Sequence, residues 1–561
     1  MIRKISVSII VLFVLVSAAV SAQEKNIFSK LEARPYDSAL DPNADLFISD
    51  WRESMPRSEL GTLVVRDLLT PSKGDPMKPH SRGAVLTVIK SLTHAVLDPD
   101  VSTVPAKLKG EQKIIYVESG TGTIKAGRQT AELFESVLVL VPEGLKFTIS
   151  NGGDVPLNMY IITEPTPDGF KPRKDMLVKD SNSNPFNGTT GHWTHMSKQG
   201  IRGGEGLATL TGLCPVWYDP MTMGQPHSHT VGTEEIWFGV EGDMTLLLGK
   251  QLRKLPAGSA YKIPPNGKTP HSNINVSDEP THLFWLMYNA GGPYEEFANL
   301  APEPFDRKTE PNIDMFMNSY FNNPVRHTHG SLLERDVLSK SDGDPMNPKA
   351  KGAVLQFVNR FTHASLMAGN STTPYTPEGE QELFYVLSGS GTVTGGGVIH
   401  DIHTGVAFLI PENLEFTMTN TGSDAMTMYL VAEPTYDGFV PKENIVIRDE
   451  NKEPFHTSDA HWVNTNKWLI KMDEGLADLE LYITVYIAPN TFAQPHSHEE
   501  GVEEVWCPIY GDLQFLLGKQ VRNLPPGTAY LIPPNGSTPH ANFNVSDQAV
   551  KIFYFARGWR K

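Results

Sequence analysis

The 561-residue sequence predicts an all-β protein of four barrels, laid out as two copies of a two-barrel half. Three observations lead there. The first is an internal repeat of constant offset. Arg66-Asp67 recurs as Arg335-Asp336, Gly74-Asp75-Pro76-Met77 as Gly343-Asp344-Pro345-Met346, and His192-Trp193 as His461-Trp462, so that 335 − 66 and 461 − 192 both give 269. Self-similarity at a fixed offset marks duplicated structural units, and its constancy means that no net insertion separates the copies. The second is that each copy holds two blocks of short β-rich runs, for example 114–117, 137–141, 245–248 and 553–555, punctuated by Gly, Pro and Asn. Many short strands with frequent turns suit sandwiches or barrels rather than βαβ units. The third is the scarcity of sustained helical periods. Only residues 45–55 and their counterparts 314–323 are expected as short helices, leading into each half.

Composition bounds the function. A chain of this length is too long for one core, and 39% hydrophobic with 20% charged residues is ordinary for a globular protein. The net charge of −16 leaves no excess of Lys or Arg to neutralise phosphates, which argues against nucleic acid as a partner. Residues 1–22 differ in kind. Arg3 and Lys4 precede a mostly apolar run over 5–20, and Ala18, Ala19, Ser21 and Ala22 supply small residues before Gln23. This pattern predicts a secretory signal peptide cleaved after Ala22, and hence a periplasmic or secreted protein with no membrane attachment after cleavage; the run is short for a spanning helix. Cys214 and Cys507 occupy unrelated places in the repeat and are expected as two buried thiols rather than a disulfide framework.

The chemistry concentrates in the second block of each half. Gln225-Pro226-His227-Ser228-His229 is followed by Glu234-Glu235 and Gly242, then by Gly258, Pro264, Gly267, His271 and Asn275. The second half repeats the set as His496, His498, Glu503-Glu504, Gly511, Gly527, Pro533, Gly536, His540 and Asn544. Residues two apart on a strand face the same way, so each H-x-H pair can aim into one barrel. A carboxylate then returns on the neighbouring strand and a third imidazole arrives later. Neutral imidazoles with one carboxylate suit Fe, Mn, Zn, Ni or Cu as divalent ions, and four protein ligands leave open positions on an octahedral ion.

These residues resemble the two metal motifs of the cupin superfamily, in tandemly duplicated bicupin form. The resemblance implies four jelly-roll barrels arranged as two bicupin halves. The expected layout is a signal peptide at 1–22, an N-terminal segment at 23–60, cupin 1 at 61–166, cupin 2 at 167–300, a linker and lead-in at 301–330, cupin 3 at 331–435 and cupin 4 at 436–561. It implies up to two divalent transition metals per chain, one on His227, His229, Glu235 and His271 and one on His496, His498, Glu504 and His540. The six-residue gap to Gly242 and Gly511 selects Glu235 and Glu504. Both halves, however, carry one extra residue before the glutamate and one before the third histidine, and this leaves Glu234 and Glu503 as alternatives.

Cupins 1 and 3 match a cupin that has lost its metal. Phe147 and Phe416 stand at the third histidine position, Lys113 replaces one glutamate, and Glu382 survives alone as an expected hydrogen-bonding group. His327-Thr328-His329 lacks the motif glycines and has no histidine counterpart 269 residues earlier; it is expected at the surface. Trp237, Tyr261, Trp506 and Tyr530 are pocket candidates beside the metals, with core packing as the competing role. His94 with His363, and His192 with His461, are expected to cap or to hydrogen-bond. The family spans dioxygenases, decarboxylases, isomerases, lyases and non-enzymatic binding or storage proteins, so two functions stay open. One is a metalloenzyme acting on a small oxygen-rich substrate (a phenolic, a sugar or an organic acid). The other is a ligand-binding or structural protein whose metal stabilises the barrel. A homo-oligomer is compatible with either.

Overall fold

The computed structural model describes residues 42–188, 193–291, 311–457 and 462–558. The signal peptide expected at 1–22, and His192 and His461, lie outside the described residues. The chain divides near residue 305 into two compact units, each corresponding to one copy of the repeat. It is almost entirely β, built from jelly-roll blocks of a larger sheet facing a smaller one.

In the first half, the larger sheet of the first block runs in the order Leu177–Asp180, Val137–Val141, Glu111–Ser119, Leu157–Pro165, Ser91–Leu97, Leu63–Pro71 and Arg57–Glu59. Its smaller sheet is Gln129–Leu133, Gly122–Ala126, Lys146–Asn151 and Val101–Ser102. Alternation along the strands sorts the side chains. Ile115, Val117, Val139, Phe147 and Ile161 fill the barrel, whereas Ile114, Tyr116, Leu138, Tyr160 and Ile162 join the core shared with the second block. A sheet buried on both faces explains why these strands read as continuous apolar runs.

The second block has a larger sheet ordered Ile48–Asp50, Ser259–Lys262, Glu234–Glu241, Thr281–Tyr288, Gly212–Tyr218, His195–Ser197 and Asn187–Gly188. Its smaller sheet pairs Thr222–Met223 with His271–Asn275, then Met244–Leu248, then Gln251–Leu255. The second half repeats the plan, with Met317–Ser319, Thr528–Leu531, Glu503–Tyr510, Val550–Arg557 and Leu481–Ile487 adjacent in its metal-motif block.

The lead-in segments depart from expectation. Only Ala44–Phe47 is α-helical; Ile48–Asp50 is a strand and Trp51–Glu53 a 3-10 turn. In the second copy, Ile313–Met315 and Tyr320–Asn322 are 3-10 turns around the strand Met317–Ser319. The reason is an available sheet edge: Ile48–Asp50 pairs with Ser259–Lys262, and Met317–Ser319 with Thr528–Leu531. Backbone pairing across a whole strand outweighs the weak helix preference of so short a segment.

Within each half the two blocks are fastened by reciprocal buried glutamates. Glu164 of the first block accepts from the amides of Thr209 and Leu210 in the second, at 2.5 and 2.6 Å. Glu234 of the second block accepts from the amides of Thr87, Val88 and Ile89 in the first, at 2.5, 3.1 and 2.8 Å. Glu433 and Glu503 do the same in the other half, on Asp478 and Leu479 and on Gln356, Phe357 and Val358. Among the described residues no helix is long and apolar enough to cross a membrane.

Candidate metal centre

Each centre is assembled at the seam between the two sheets of its block. His227 and His271 face each other in an antiparallel bridge, with backbone hydrogen bonds of 3.2 and 3.0 Å in the two directions. His229 follows at the same-facing position. The ring centroids of His227, His229 and His271 lie 4.3 to 5.0 Å apart, and one ligand atom from each falls within 4.8 Å of the others. His496, His498 and His540 repeat this arrangement, with centroids 4.3 to 4.8 Å apart.

The carboxylates close the sets. Glu235 contacts His229 Nε2 directly and lies 3.4 Å from His271 Nε2. Glu504 stands in the same relation to His498 and, at 3.4 Å, to His540. Strand alternation explains the choice within each Glu-Glu pair: Glu235 and Glu504 turn into the barrel, whereas Glu234 and Glu503 turn outward to fasten the neighbouring block. The extra residues before them are absorbed in turns. Thr233 N donates to Thr230 O at 3.1 Å, and Gly232 N to Pro265 O at 3.0 Å. Asn266 Oδ1 accepts from the amides of Lys268 and Thr269, both at 3.0 Å. Gly267, at φ +74°, lets these two loops meet, since a Cβ there would lie 2.8 Å from Val231 Cγ2.

The donor set fits a divalent metal. His227 Nδ1 lies 2.7 Å from Gln225 O, and His496 Nδ1 lies 2.8 Å from Gln494 O. A carbonyl can only accept, so Nδ1 carries the proton and Nε2 keeps its lone pair for an ion. His271 Nε2 and His540 Nε2 are buried and make no hydrogen bond. Burial lowers the pKa of both rings, which favours the neutral form a metal requires. Burial works against the charge on Glu235 and Glu504, but the adjacent histidines outweigh it and hold both carboxyls well below the usual range.

The four aromatic candidates serve the carboxylates and the barrel wall. Trp237 Nε1 donates to Glu235 Oε1 at 2.6 Å, and Trp506 Nε1 to Glu504 Oε1 at 2.5 Å. Tyr261 Oη donates to Asn273 Oδ1 at 3.1 Å, and Tyr530 Oη to Asn542 Oδ1 at 2.9 Å. All four rings are buried, so they hold the site rather than front solvent. In the first half only, Tyr218 Oη also reaches His195 Nδ1 at 3.4 Å, and both face the same barrel interior. Their counterparts, 269 residues on, are Ile487 and Asn464.

Two expectations are corrected. Of the two thiols, Cys507 is buried and donates to Tyr429 Oη at 3.2 Å, but Cys214 is only partly buried. Register turns it into its barrel, on the face of Glu235 and Trp237, and burial pushes its thiol pKa up to about 12. His329 is not at the surface: it is buried, with Nε2 3.0 Å from Glu382 Oε2, while His327 is exposed. A buried carboxylate requires a partner, and His329 supplies one from a neighbouring hairpin. Glu382 does make the hydrogen bond expected of it, and it also pairs with Arg360. Of the repeated histidines, His94 meets Glu118 at 2.9 Å and stacks on Trp51, whereas His363 stacks on Tyr320 and burial lowers its pKa to about 4.

Two segments, 216–287 and 362–432, match the family model of the Cupin domain. The first is the block holding His227 to His271, and the second is the filled block holding Glu382 and Phe416. No curated protein matches the sequence. Among solved structures, the chain is similar to a glyoxylate-induced protein of Pseudomonas aeruginosa at 13% identity, over 42% of this chain and 84% of that one, with a TM-score of 0.35. It is similar to protein Ylba of E. coli at 12% identity, over 44% and 91%, with a TM-score of 0.33. A variant of Bacillus subtilis oxalate decarboxylase aligns at 11% identity, over 45% and 79%, with a TM-score of 0.35.

Proposed function

We propose that this chain, two segments of which match the Cupin domain, is an exported metalloenzyme acting on a small oxygen-rich molecule, a phenolic, a sugar or an organic acid. One divalent transition metal is held by His227, His229, Glu235 and His271, and another by His496, His498, Glu504 and His540. The observation that carries the reading is the convergence of three imidazoles and a carboxylate, twice, with the buried Nε2 atoms of His271 and His540 each turned to the shared carboxylate at 3.4 Å. Bound there, the ion supplies Lewis acidity and, if redox-active, electron transfer.

The chain's own residues do the rest. The carbonyls of Gln225 and Gln494 fix ring tautomers. Trp237 and Trp506 hold the carboxylates against rotation, and the barrel wall of Tyr261 and Tyr530 excludes water from that side. Export rests on the pattern of residues 1–22 alone. The competing reading, a metal that only stabilises the barrel, draws on Phe147 and Phe416, which fill the first and third blocks with apolar volume where the metal-motif blocks have a third histidine.

Metal analysis of the purified protein, followed by an oxygen-uptake and substrate screen, tests the proposal. Divalent metal approaching two equivalents per chain is expected, with turnover lost in His229→Ala while the far-ultraviolet circular dichroism is kept. A protein that binds no divalent metal sinks the reading. One that unfolds without metal and turns over nothing in the screen favours the stabilising role.

A further inference from the structure

The two centres share their ligands but not their access to solvent. The side chain of His229 is 20% exposed, and its counterpart His498 is 4% exposed. The same contrast holds for the side chains that face each barrel's interior beside the ligands. Register places Cys214, Trp285 and Met287 on the same face as Glu235 and Trp237. All three are partly exposed, as is His227. At the matching positions of the second half, Ile483, Tyr554 and Ala556 share the face of Glu504 and Trp506, and all are buried, as is His496. Among the described residues, one barrel is therefore open at the end where its ligands lie, and the other is closed.

The open end has a definite chemistry. An indole, a thioether and a thiol line it, and Arg202, paired with Gly212 on the same face, stands exposed at its rim. Flat aromatic surface and polarisable sulfur suit an apolar, planar ring, while the metal ligands beyond them suit an oxygen donor. A sugar would leave its hydroxyls unpaired against Trp285 and Met287.

We infer that the first centre alone takes substrate, a small aromatic molecule bearing oxygen donors, and that the second is a closed structural site. The inference rests on the reading that both clusters hold metal. Trp285 and Met287 are the specificity-determining residues, and the sealed barrel gives the second half a metal that staples it.

The test uses the full chain loaded with Mn(II), its metal content measured before and during exposure to excess EDTA. Two equivalents lost in two phases are expected, the fast one at least about tenfold faster. The fast phase should be absent from His229→Ala and the slow phase from His498→Ala. A protein that takes up no metal defeats the functional reading itself. Two equivalents leaving at one rate, or the fast phase vanishing in His498→Ala, overturns the inference. Titration with 4-nitrocatechol, followed by its absorbance, should show one site per chain. Trp285→Ala should weaken it about tenfold, and Trp285→Tyr, the residue of the sealed barrel, should keep the fold by circular dichroism while weakening binding less. Two sites per chain, or unchanged affinity in Trp285→Ala, overturns it, as does binding of oxalate or glucose in place of 4-nitrocatechol.

Discussion

The third and fourth blocks, side by side in the second half, place a glutamate at the same point of the same strand and satisfy it in different ways. Glu504 lies against His498 and His540 and accepts from Trp506. Glu382 lies against His329, at 3.0 Å, and pairs with Arg360. Phe416 stands where the fourth block has His540, and the edge of Tyr375 closes over His329 with ring centroids 4.2 Å apart. Both carboxylates are fully buried. A buried carboxylate has to be given positive charge, and the chain provides it once as a ligand set for an ion and once as an arginine. The first block shows a third answer with the sign reversed: Lys113 sits at this point and Glu59 reaches it at 3.5 Å. In both filled blocks the partner comes from the same N-terminal hairpin, Arg57–Glu59 or the segment just after Arg326–Thr328.

The comparison breaks most severely at Arg360. Its guanidinium also meets Glu380, at 2.5 Å, and approaches Glu334 to 3.9 Å. Arg360→Met removes the charge while keeping the length of the side chain, and it leaves Glu382 with His329 alone. A loss of about 3–5 kcal/mol is expected, read as a lowered urea midpoint for the second half. Metal content should not change. A loss under about 1 kcal/mol would show that His329 suffices, and the equivalence between arginine and metal ion would fall.

In the fourth block the corresponding change is Trp506→Phe, which deletes the indole N–H but keeps a ring in the barrel. Groups that orient a metal ligand through a hydrogen bond typically account for about 10–100-fold in metal affinity. Competition with a chromophoric chelator should show that weakening, with thermal stability of the metal-free protein nearly unaltered. Equal stability losses with and without metal would make Trp506 a packing residue only.

How much of this the sequence reveals depends on distance along the chain. The repeat, the blocks and the eight candidate ligands follow from local spacing and from alternation on strands. Even the two roles of Glu234-Glu235 were available there, because neighbours on a strand point to opposite faces; the outward role needed only the neighbouring block as a partner. His329 was not legible: its partner Glu382 is 53 residues away, and an H-x-H pair without motif glycines looks like surface. The openness of one barrel and closure of the other were hidden too, since Cys214, Trp285 and Met287 differ from Ile483, Tyr554 and Ala556 in ways that no spacing rule flags. The lead-in strands escaped because their pairing partner lies about two hundred residues downstream, as in Ile48 with Tyr261.

The smallest effect expected comes from a position where each half serves as the other's control. Glu234 and Glu503 accept from equivalent amides, but Lys262 lies 3.7 Å from the first, whereas Leu531 stands at the matching place beside the second. Lys262 is fully buried and its Nζ makes no hydrogen bond. Burial lowers its pKa below the usual 10.5, although Glu234 pulls the other way. A depressed lysine is neutral in both folded and unfolded chains above pH 10.5, so nothing is lost there. As pH falls through that range toward the folded pKa, the unfolded chain takes up the proton first and the folded state loses stability relative to it. Lys262→Leu removes this dependence and reproduces the second half. A gain of about 1 kcal/mol at pH 7 is expected, shrinking as pH approaches 10.5, and measurable as thermal midpoints across that range. A variant less stable than the parent at pH 7 would mean that the Lys262–Glu234 attraction exceeds the cost of burying the ammonium, and that the two halves fasten their blocks by different physics.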